Sequence, residues 1–192
     1  MTLLTALDTG RSHALARKLA LAFAASLLLT LSAKISVPFF PVPMTMQTFV
    51  VVGIGLAMGP VWGVTAVAMY LAQGALGLPV FAGTPEKGIG LAYMAGPTGG
   101  YLAGYLLAAF VTGKLAERGW DRTVVTAFLA ALAGAVALYV PGMLWLGQVV
   151  GWDKPVLAWG LWPFVYGDLL KTALAAGVFP AVWAILKKKG IA

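Results

Sequence analysis

The chain has 192 residues, of which 61% are hydrophobic and 10% are charged, and its mean hydropathy is +0.92. This composition excludes an ordinary water-soluble domain, in which about 25% of residues are charged. The net charge is +7 and cysteine is absent, which excludes disulfides, thiolate metal sites and cysteine nucleophiles.

Uncharged segments long enough to cross a bilayer recur along the chain. A helix needs about 20 apolar residues to span the hydrocarbon core, and we predict six spans, at roughly 15–34, 44–59, 60–79, 97–116, 122–149 and 160–187. The expected fold is an all-α integral membrane protein, a single membrane domain of residues 1–192 forming a six-transmembrane-helix bundle. The first span also has features of a signal peptide, but the five spans after it favour an uncleaved helix.

Basic residues are distributed unequally between the two predicted sides of the membrane. With residues 1–12 as a cytoplasmic tail or surface helix, nine lysines and arginines fall in cytoplasmic segments and three in outer loops. This bias predicts that both termini are cytoplasmic. Orientation in the membrane therefore accounts for the positive net charge, and no nucleic-acid partner is expected. The nine are Arg11, Arg17, Lys18, Lys114, Arg118, Arg122, Lys187, Lys188 and Lys189, and the three are Lys34, Lys87 and Lys154.

Small side chains line one face of the first predicted span. Ala16, Ala20 and Ala24 follow a spacing of four residues, which places them on the same side of a helix. Such a stripe lets a second helix approach closely. The spacing leaves open whether that helix belongs to this chain or to a partner.

The segment KISVPFFPVPMTMQT, residues 34–48, is predicted to be an extended strip, because its three prolines fix φ and remove backbone donors. The strip is either a connector or part of a lid. Thr45 is placed to cap the second span, and Gln47 lies just inside that span.

Glycine and proline mark the next two connections. The run GLAMGPVWG, residues 55–63, predicts a tight turn between the second and third spans, and residues 77–96 predict a long outer loop that folds back toward the bilayer. At GPTGGY, residues 96–101, Pro97 suits a first helical turn, and Gly99 permits close approach of either a ligand or a neighbouring helix.

The sequence contains few residues or motifs that are typical of enzyme active sites. The single histidine, His13, is expected to be a surface residue, and the chain has no zinc-protease, nucleophile-elbow or phosphate-loop motif. It is therefore not expected to be an enzyme, to hold a metal or cofactor, or to hydrolyse ATP. Active transport by this chain would draw its energy from a partner or an ion gradient.

The acid Asp168 and the base Lys171 interrupt the otherwise uncharged run from 155 to 186. A charge near the bilayer centre costs roughly 2.5 to 3.5 kcal/mol, but residues at i and i+3 share a helix face and can neutralise each other. The pair is either a structural ion pair or part of a pocket in the outer half of the bilayer, for a mainly apolar ligand with an amide-like end and a carboxylate. Candidate apolar walls are Phe39, Phe40, Phe81, Tyr93, Tyr101, Trp162, Phe164 and Tyr166.

Four motifs together resemble the BioY family of biotin transporters. They are PVPMTMQT from Pro41, GLPVFAG from Gly77, GPTGGY from Gly96 and GDLLK from Gly167. They occur in family order, and the resemblance covers essentially the whole chain.

The resemblance implies a substrate-binding S component of an energy-coupling factor transporter in the bacterial cytoplasmic membrane. Such a protein binds biotin from outside and works with a transmembrane coupling subunit and a pair of ABC-type ATPases that use ATP. The implied substrate-binding residues are Asp168, Lys171, Gln47, Thr45, Tyr93, Thr98, Gly99 and Tyr101. The alanine stripe is similar to the family's docking face for the coupling subunit, which favours an external partner.

Biotin has a ureido ring, an apolar body and a carboxylate, and so matches the pocket expected from the residues. Our hypothesis is that Asp168 accepts from the ureido N–H groups and Lys171 pairs with the carboxylate. Alternatives are an S component for another small carboxylated vitamin, an intramembrane enzyme that uses the Asp–Lys pair, and a structural assembly subunit that binds no small molecule.

Overall fold

Helices dominate the computed structural model, which describes residues 2–6 and 14–190. The elements in chain order are α1 (Leu3–Ala6), α2 (Ala14–Lys34), β1 (Ser36–Val37), β2 (Met44–Thr45), α3 (Gln47–Ala75), α4 (Gly90–Met94), α5 (Gly99–Glu117), α6 (Val124–Val150), α7 (Val156–Gly160) and α8 (Trp162–Lys188). The short strands and the helices α4 and α7 were not predicted. His13 lies outside the described residues.

Four helical segments of the described chain are long and apolar enough to cross a membrane. They are Leu15–Lys34, Gln47–Ala75, Val124–Val150 and Val156–Lys188. Most of the long helices begin and end within a few residues of the predicted spans. The third span is the exception, because its helix ends at Ala75 and the predicted span reached residue 79.

The helix α3 reverses direction at Gly59, whose φ of 78° lies in the left-handed region that favours glycine. Its two arms, 47–58 and 60–75, lie side by side, since Gln47 Nε2 donates to Tyr70 Oη at 2.7 Å. Two residues 23 positions apart in a straight helix would be about 34 Å from each other. The chain therefore turns where GLAMGPVWG predicted a turn.

Glycines let α5 pack tightly against the arms of α3. A Cβ at Gly55 would lie 2.0 Å from Thr112 Oγ1 and 2.7 Å from the carbonyl oxygen of Ala109, and a Cβ at Gly113 would lie 2.4 Å from Pro60 N. Small residues allow such close backbone approach between membrane helices. The glycines thus bring α3 and α5 to the separation at which they form the main core.

We call the end of the bundle that holds residues 35–46, 76–98 and 151–161 the outer end, following the predicted topology. Residues 35–46 form an antiparallel ribbon there, in which Ser36 pairs with Thr45. The predicted strip therefore doubles back on itself, because its two extended ends pair. Thr45 Oγ1 accepts a hydrogen bond from the backbone N–H of Gln47 at 3.2 Å, and so satisfies the backbone donor of the first residue of α3.

The opposite end is covered by residues 2–6. Residues 1–12 were predicted to be a cytoplasmic tail or surface helix. Residues 3–6 are helical, but they are packed against the bundle, since Leu3 and Leu4 are only 8% exposed and Ala6 is buried. Thr2 packs against the turn, since a Cβ at Gly59 would lie 3.1 Å from its Cγ2 atom. The irregular backbone at Gly59 is therefore buried in protein, which is the condition for such backbone at membrane depth.

The helix α2 packs with one side only. Ala22 and Leu29 are fully buried against the bundle, whereas the predicted stripe is exposed along its length: Ala16, Ala20 and Ala24. With about 3.6 residues per turn, the stripe lies on the side opposite the buried residues. The described part of the chain therefore does not use the alanine stripe for its own packing.

Replacing Gly55 by Ala should lower the melting temperature of the purified protein, because the added methyl overlaps Thr112 and the Ala109 backbone. We expect a loss of about 1 to 3 kcal/mol in unfolding free energy. The matched control is Gly177→Ala in α8, where a Cβ meets nothing within 4 Å and should stabilise by up to about 1 kcal/mol. Equal melting temperatures for the two variants would contradict this packing.

Candidate ligand-binding site

A cavity lies among the helices at the outer end, beneath the ribbon and the 76–98 loop. Five of the eight predicted substrate-binding residues line it: Thr45, Gln47, Thr98, Tyr101 and Lys171. The other lining residues are Val42, Pro43, Thr48, Ala82, Tyr105, Leu138, Tyr139 and Phe164. Every long helical segment except α2 contributes at least one of these side chains.

The predicted ion pair forms at the edge of the cavity. Lys171 Nζ donates to Asp168 Oδ1 at 2.8 Å, and Tyr139 Oη donates to Asp168 Oδ2 at 2.5 Å. Asp168 is 6% exposed and Lys171 is 7% exposed, so both charges are buried. Each carboxylate oxygen has a donor, which is the condition under which a buried charge is tolerated.

Lys171 and Asp168 face different surroundings. Lys171 lines the cavity, but Asp168 does not and instead faces an apolar pocket between α6 and α8, beside Leu132 and Val165. Asp168 is the single acceptor that Lys171 contacts among the described residues. Since an ammonium has three donors, two N–H groups of Lys171 remain for a ligand.

Gln47 is fixed in the cavity wall through both ends of its amide. Its Nε2 donates to Tyr70 Oη at 2.7 Å, and its Oε1 accepts from Tyr105 Oη and from Thr45 Oγ1, each at 3.3 Å. Tyr70 Oη donates in turn to the carbonyl oxygen of Val80 at 3.4 Å. The amide is held in one orientation by this network and presents a fixed polar edge to the cavity.

The tyrosines of α5 and α6 form the remaining wall. Tyr101 and Tyr105 lie four residues apart on one face of α5, and Tyr101 Oη donates to the carbonyl oxygen of Gly160 at 2.8 Å. The rings of Tyr101 and Tyr139 meet edge to face, with 6.0 Å between their centroids. Of these residues Tyr101 was predicted from the sequence, whereas Tyr70, Tyr105 and Tyr139 were not, although the four-residue spacing of Tyr105 from Tyr101 was a usable signal.

Tyr93 stands behind the cavity wall. Its ring stacks on Phe81 with a centroid separation of 4.9 Å, and its Oη donates to the carbonyl oxygen of Ala82 at 2.8 Å. Burial raises the pKa of the Tyr93 phenol, so the hydroxyl remains a donor across the ordinary pH range. The structure therefore gives Tyr93 a supporting contact to the cavity residue Ala82.

Gly99 lies away from the cavity. A Cβ there would lie 1.8 Å from the carbonyl oxygen of Met94 and 3.0 Å from Trp145 Nε1. Trp145 also donates to the carbonyl oxygen of Gly96 at 2.9 Å. Of the two roles open for this glycine, close packing between the start of α5 and α6 is the one that these contacts explain.

The aromatic residues named from the sequence fall into three groups. Tyr101 and Phe164 line the cavity. Phe81 and Tyr93 are buried behind it, and Phe39 packs on Phe164 with 6.1 Å between ring centroids. The remaining three are well exposed: Phe40, Trp162 and Tyr166.

The cavity is small as it stands. Its free volume is about 30 Å³, about the share of one water molecule in the liquid. An organic ligand therefore enters only if surrounding side chains or the outer cover move. The walls offer a cation, amide and hydroxyl groups, and aromatic surface. The described residues contain no group of three or more metal-binding side chains.

Removing one partner of the buried pair should cost much more stability than removing both. Asp168→Ala leaves a buried ammonium and Lys171→Met a buried carboxylate, so each should lower the unfolding free energy by about 3 to 5 kcal/mol. The double variant should lose less than the sum of the two. Denaturation in detergent measures all three.

The exposed pair of Asp153 and Lys154, 2.9 Å apart, is the matched control. Its single variants should each cost less than about 1 kcal/mol. Additive losses at Asp168 and Lys171 would contradict the ion pair.

Comparison with known proteins gives one consistent result. The model of the BioY family matches residues 5–188. The chain is 39% identical over 148 residues to the probable biotin transporter BioY of Pyrococcus horikoshii, covering 77% of this chain and 85% of that protein. It is 40% identical over 149 residues to the biotin transporter BioY of Thermotoga maritima, covering 78% and 85%.

A solved structure has the same fold. The crystal structure of the S-component for biotin from an ECF-type ABC transporter superposes with a TM-score of 0.76, covering 92% of this chain and 95% of that one at 22% identity. The structural likeness supports the architecture, and the family model and the relatives support the lineage. The resemblance found in the four sequence motifs is thereby confirmed: the chain belongs to the BioY family.

Proposed function

We propose that the chain binds biotin with high affinity and is the substrate-specific subunit of an energy-coupling factor transporter that takes up biotin. The observation that carries the proposal is the outer-end cavity, which is lined by the buried ammonium of Lys171, the fixed amide of Gln47 and several aromatic side chains. Related BioY proteins are biotin transporters. The chain contains no phosphate-binding loop, so its energy comes from partner ATPases.

The Lys171 corner is the site for one end of biotin. In this proposal two free N–H groups of Lys171 bind the carboxylate, and the ureido N–H groups donate to the hydroxyl oxygen of Thr45 or Thr98 on the cavity wall. Gln47 Oε1 already accepts two hydrogen bonds. Asp168 then acts through its neighbours, because it does not line the cavity and its oxygens bond Lys171 and Tyr139. This revises the direct ureido contact that we expected for Asp168.

The proposed topology has six spans with both termini in the cytoplasm of a bacterial cell, in its cytoplasmic membrane. The arms of α3 count as two of the six. With 12 and 16 residues they are about 18 and 24 Å long, shorter than the roughly 30 Å core of a bilayer. The Gly59 turn accordingly lies within the inner leaflet, covered by residues 2–6. Membrane lipids contact the exposed apolar faces of the bundle.

The exposed side of α2 is the proposed docking face for the transmembrane coupling subunit, which in turn binds the ABC ATPases. Ala16, Ala20 and Ala24 present only methyl groups there, and the exposed side chains of Phe23 and Leu27 lie on the same side of the helix. A partner helix can approach the α2 backbone closely at the alanines, in the way small-residue stripes permit.

Comparing the binding of biotin with that of its uncharged amide tests whether Lys171 binds the carboxylate. Wild-type protein should bind biotin, and replacing the carboxylate by an amide should weaken binding by about tenfold to a hundredfold, the range for a hydrogen bond to a charged group. Lys171→Met should bind both compounds weakly and with similar affinity. Calorimetry on the folded fraction measures all four affinities.

If wild-type protein binds the two compounds equally, the assignment of Lys171 to the carboxylate is wrong. Absence of biotin binding, together with a thermal shift by another carboxylated vitamin, would contradict the proposed ligand.

Ala20→Trp should abolish energised biotin uptake while leaving biotin binding by the isolated chain unchanged, because the indole blocks helix docking on the stripe. Leu21→Trp is the control: Leu21 is 40% exposed, and it points about 100° away from Ala20 around the helix. Uptake of labelled biotin by cells that also express the partner subunits provides the measurement. Equal uptake by the two variants would contradict the docking face.

A further inference from the structure

Lys34, the last residue of α2, contacts the outer loop near the cavity. Its Nζ atom donates to the carbonyl oxygens of Phe81 and Thr84 at 3.0 and 3.3 Å, and it lies 3.1 Å from Thr84 Oγ1. All three acceptors belong to one turn, residues 81–84, which we call the wall turn. One ammonium thus supplies donors to oxygens that the turn leaves without strand or helix partners.

The wall turn forms part of the cavity surface. Ala82 lines the cavity, and its carbonyl oxygen accepts from Tyr93 Oη at 2.8 Å. Next to it, Phe81 is fully buried, with its ring stacked on Tyr93 and edge-on to Tyr70 at 5.4 Å. Any displacement of the turn therefore moves a piece of the cavity wall.

The contacts of the wall turn come from two directions. Tyr70 and Tyr93 contact the turn through ring packing on Phe81, and Tyr93 also donates to the Ala82 carbonyl oxygen. Lys34 holds it from α2, which contributes no side chain to the cavity. Without the ammonium, the carbonyl oxygens of Phe81 and Thr84 would lose their charged donor, and the turn would lose its link to α2.

From these contacts we infer that Lys34 is a positioning residue for the ligand: it holds the wall turn closed over the cavity without touching the ligand itself. The inference rests on the proposed biotin binding for its ligand, and on the observed contacts for its mechanism. The closed wall turn slows ligand escape, so Lys34 acts mainly on the dissociation rate. A lysine that merely attracts an anionic ligand would act on the association rate instead.

Lys34→Met keeps much of the side-chain stem and removes the ammonium. We expect biotin to dissociate about tenfold faster from this variant, with the association rate changed by less than about twofold. In ligand-free protein the backbone amides of Lys87 and Gly88 should exchange hydrogen faster, because they donate to Gly83 in the wall turn and to Pro85 directly after it. Lys34→Arg should restore most of both properties, because it keeps a charged donor.

Lys154→Met is the matched control, since it removes an outer lysine that pairs with Asp153. It should leave dissociation and exchange unchanged. Thr84→Val removes one of the three acceptors and also the hydrogen bond from Thr84 Oγ1 to the Phe81 carbonyl. It should change both properties in the same direction and keeps the test open if Lys34→Met does not fold.

Unchanged exchange at residues 87 and 88 in Lys34→Met would overturn the inference, as would a loss of affinity that lies in the association rate. The hydrogen-exchange measurement needs no ligand. A failure of wild-type protein to bind biotin would therefore count against the proposed function and leave the role of Lys34 to be decided by exchange.

Discussion

A buried ion pair near the outer end of α8 is the interaction on which the cavity depends. Two charges removed from water are costly unless each is paired and hydrogen-bonded, and here Asp168 receives one bond from Lys171 and one from Tyr139. The carboxylate joins α8 to α6 and fixes the ammonium at the cavity edge. The pair therefore joins two helices, and in the proposed function its lysine also binds the ligand, so the two readings that the sequence left open are not exclusive.

Close helix packing decides how little space remains around that pair. Glycines bring α5 against the arms of α3 and against α6, as at Gly55 and Gly104, where a Cβ would lie 2.4 Å or less from the facing helix. The space left at the outer end is lined by tyrosines and closed by the ribbon and the wall turn. Since its free volume is about 30 Å³, ligand entry requires this cover to move, and the strength of its attachments sets how long a ligand stays.

Sequence reasoning predicted the parts of this architecture that follow from local chemistry. Apolar length gave the long helices, the Gly59 turn followed from glycine beside proline, and the i to i+3 spacing gave the ion pair. The partners of Tyr139, Gln47 and Lys34 depend on which helices become neighbours, and a spacing along one helix carries no such information. For the same reason Asp168 was expected in the cavity, although its carboxylate turns toward α6.

The central claim is that Lys171, held by Asp168 and Tyr139, is the charged contact for biotin in the outer-end cavity. A crystal structure of the chain with biotin bound tests it most directly. The account predicts a ligand oxygen within about 3 Å of Lys171 Nζ, with Asp168 still bonded to Tyr139 and not to the ligand. Biotin bound elsewhere, for example in the open groove beside Trp145, or bound directly by Asp168 with Lys171 turned away, would contradict it.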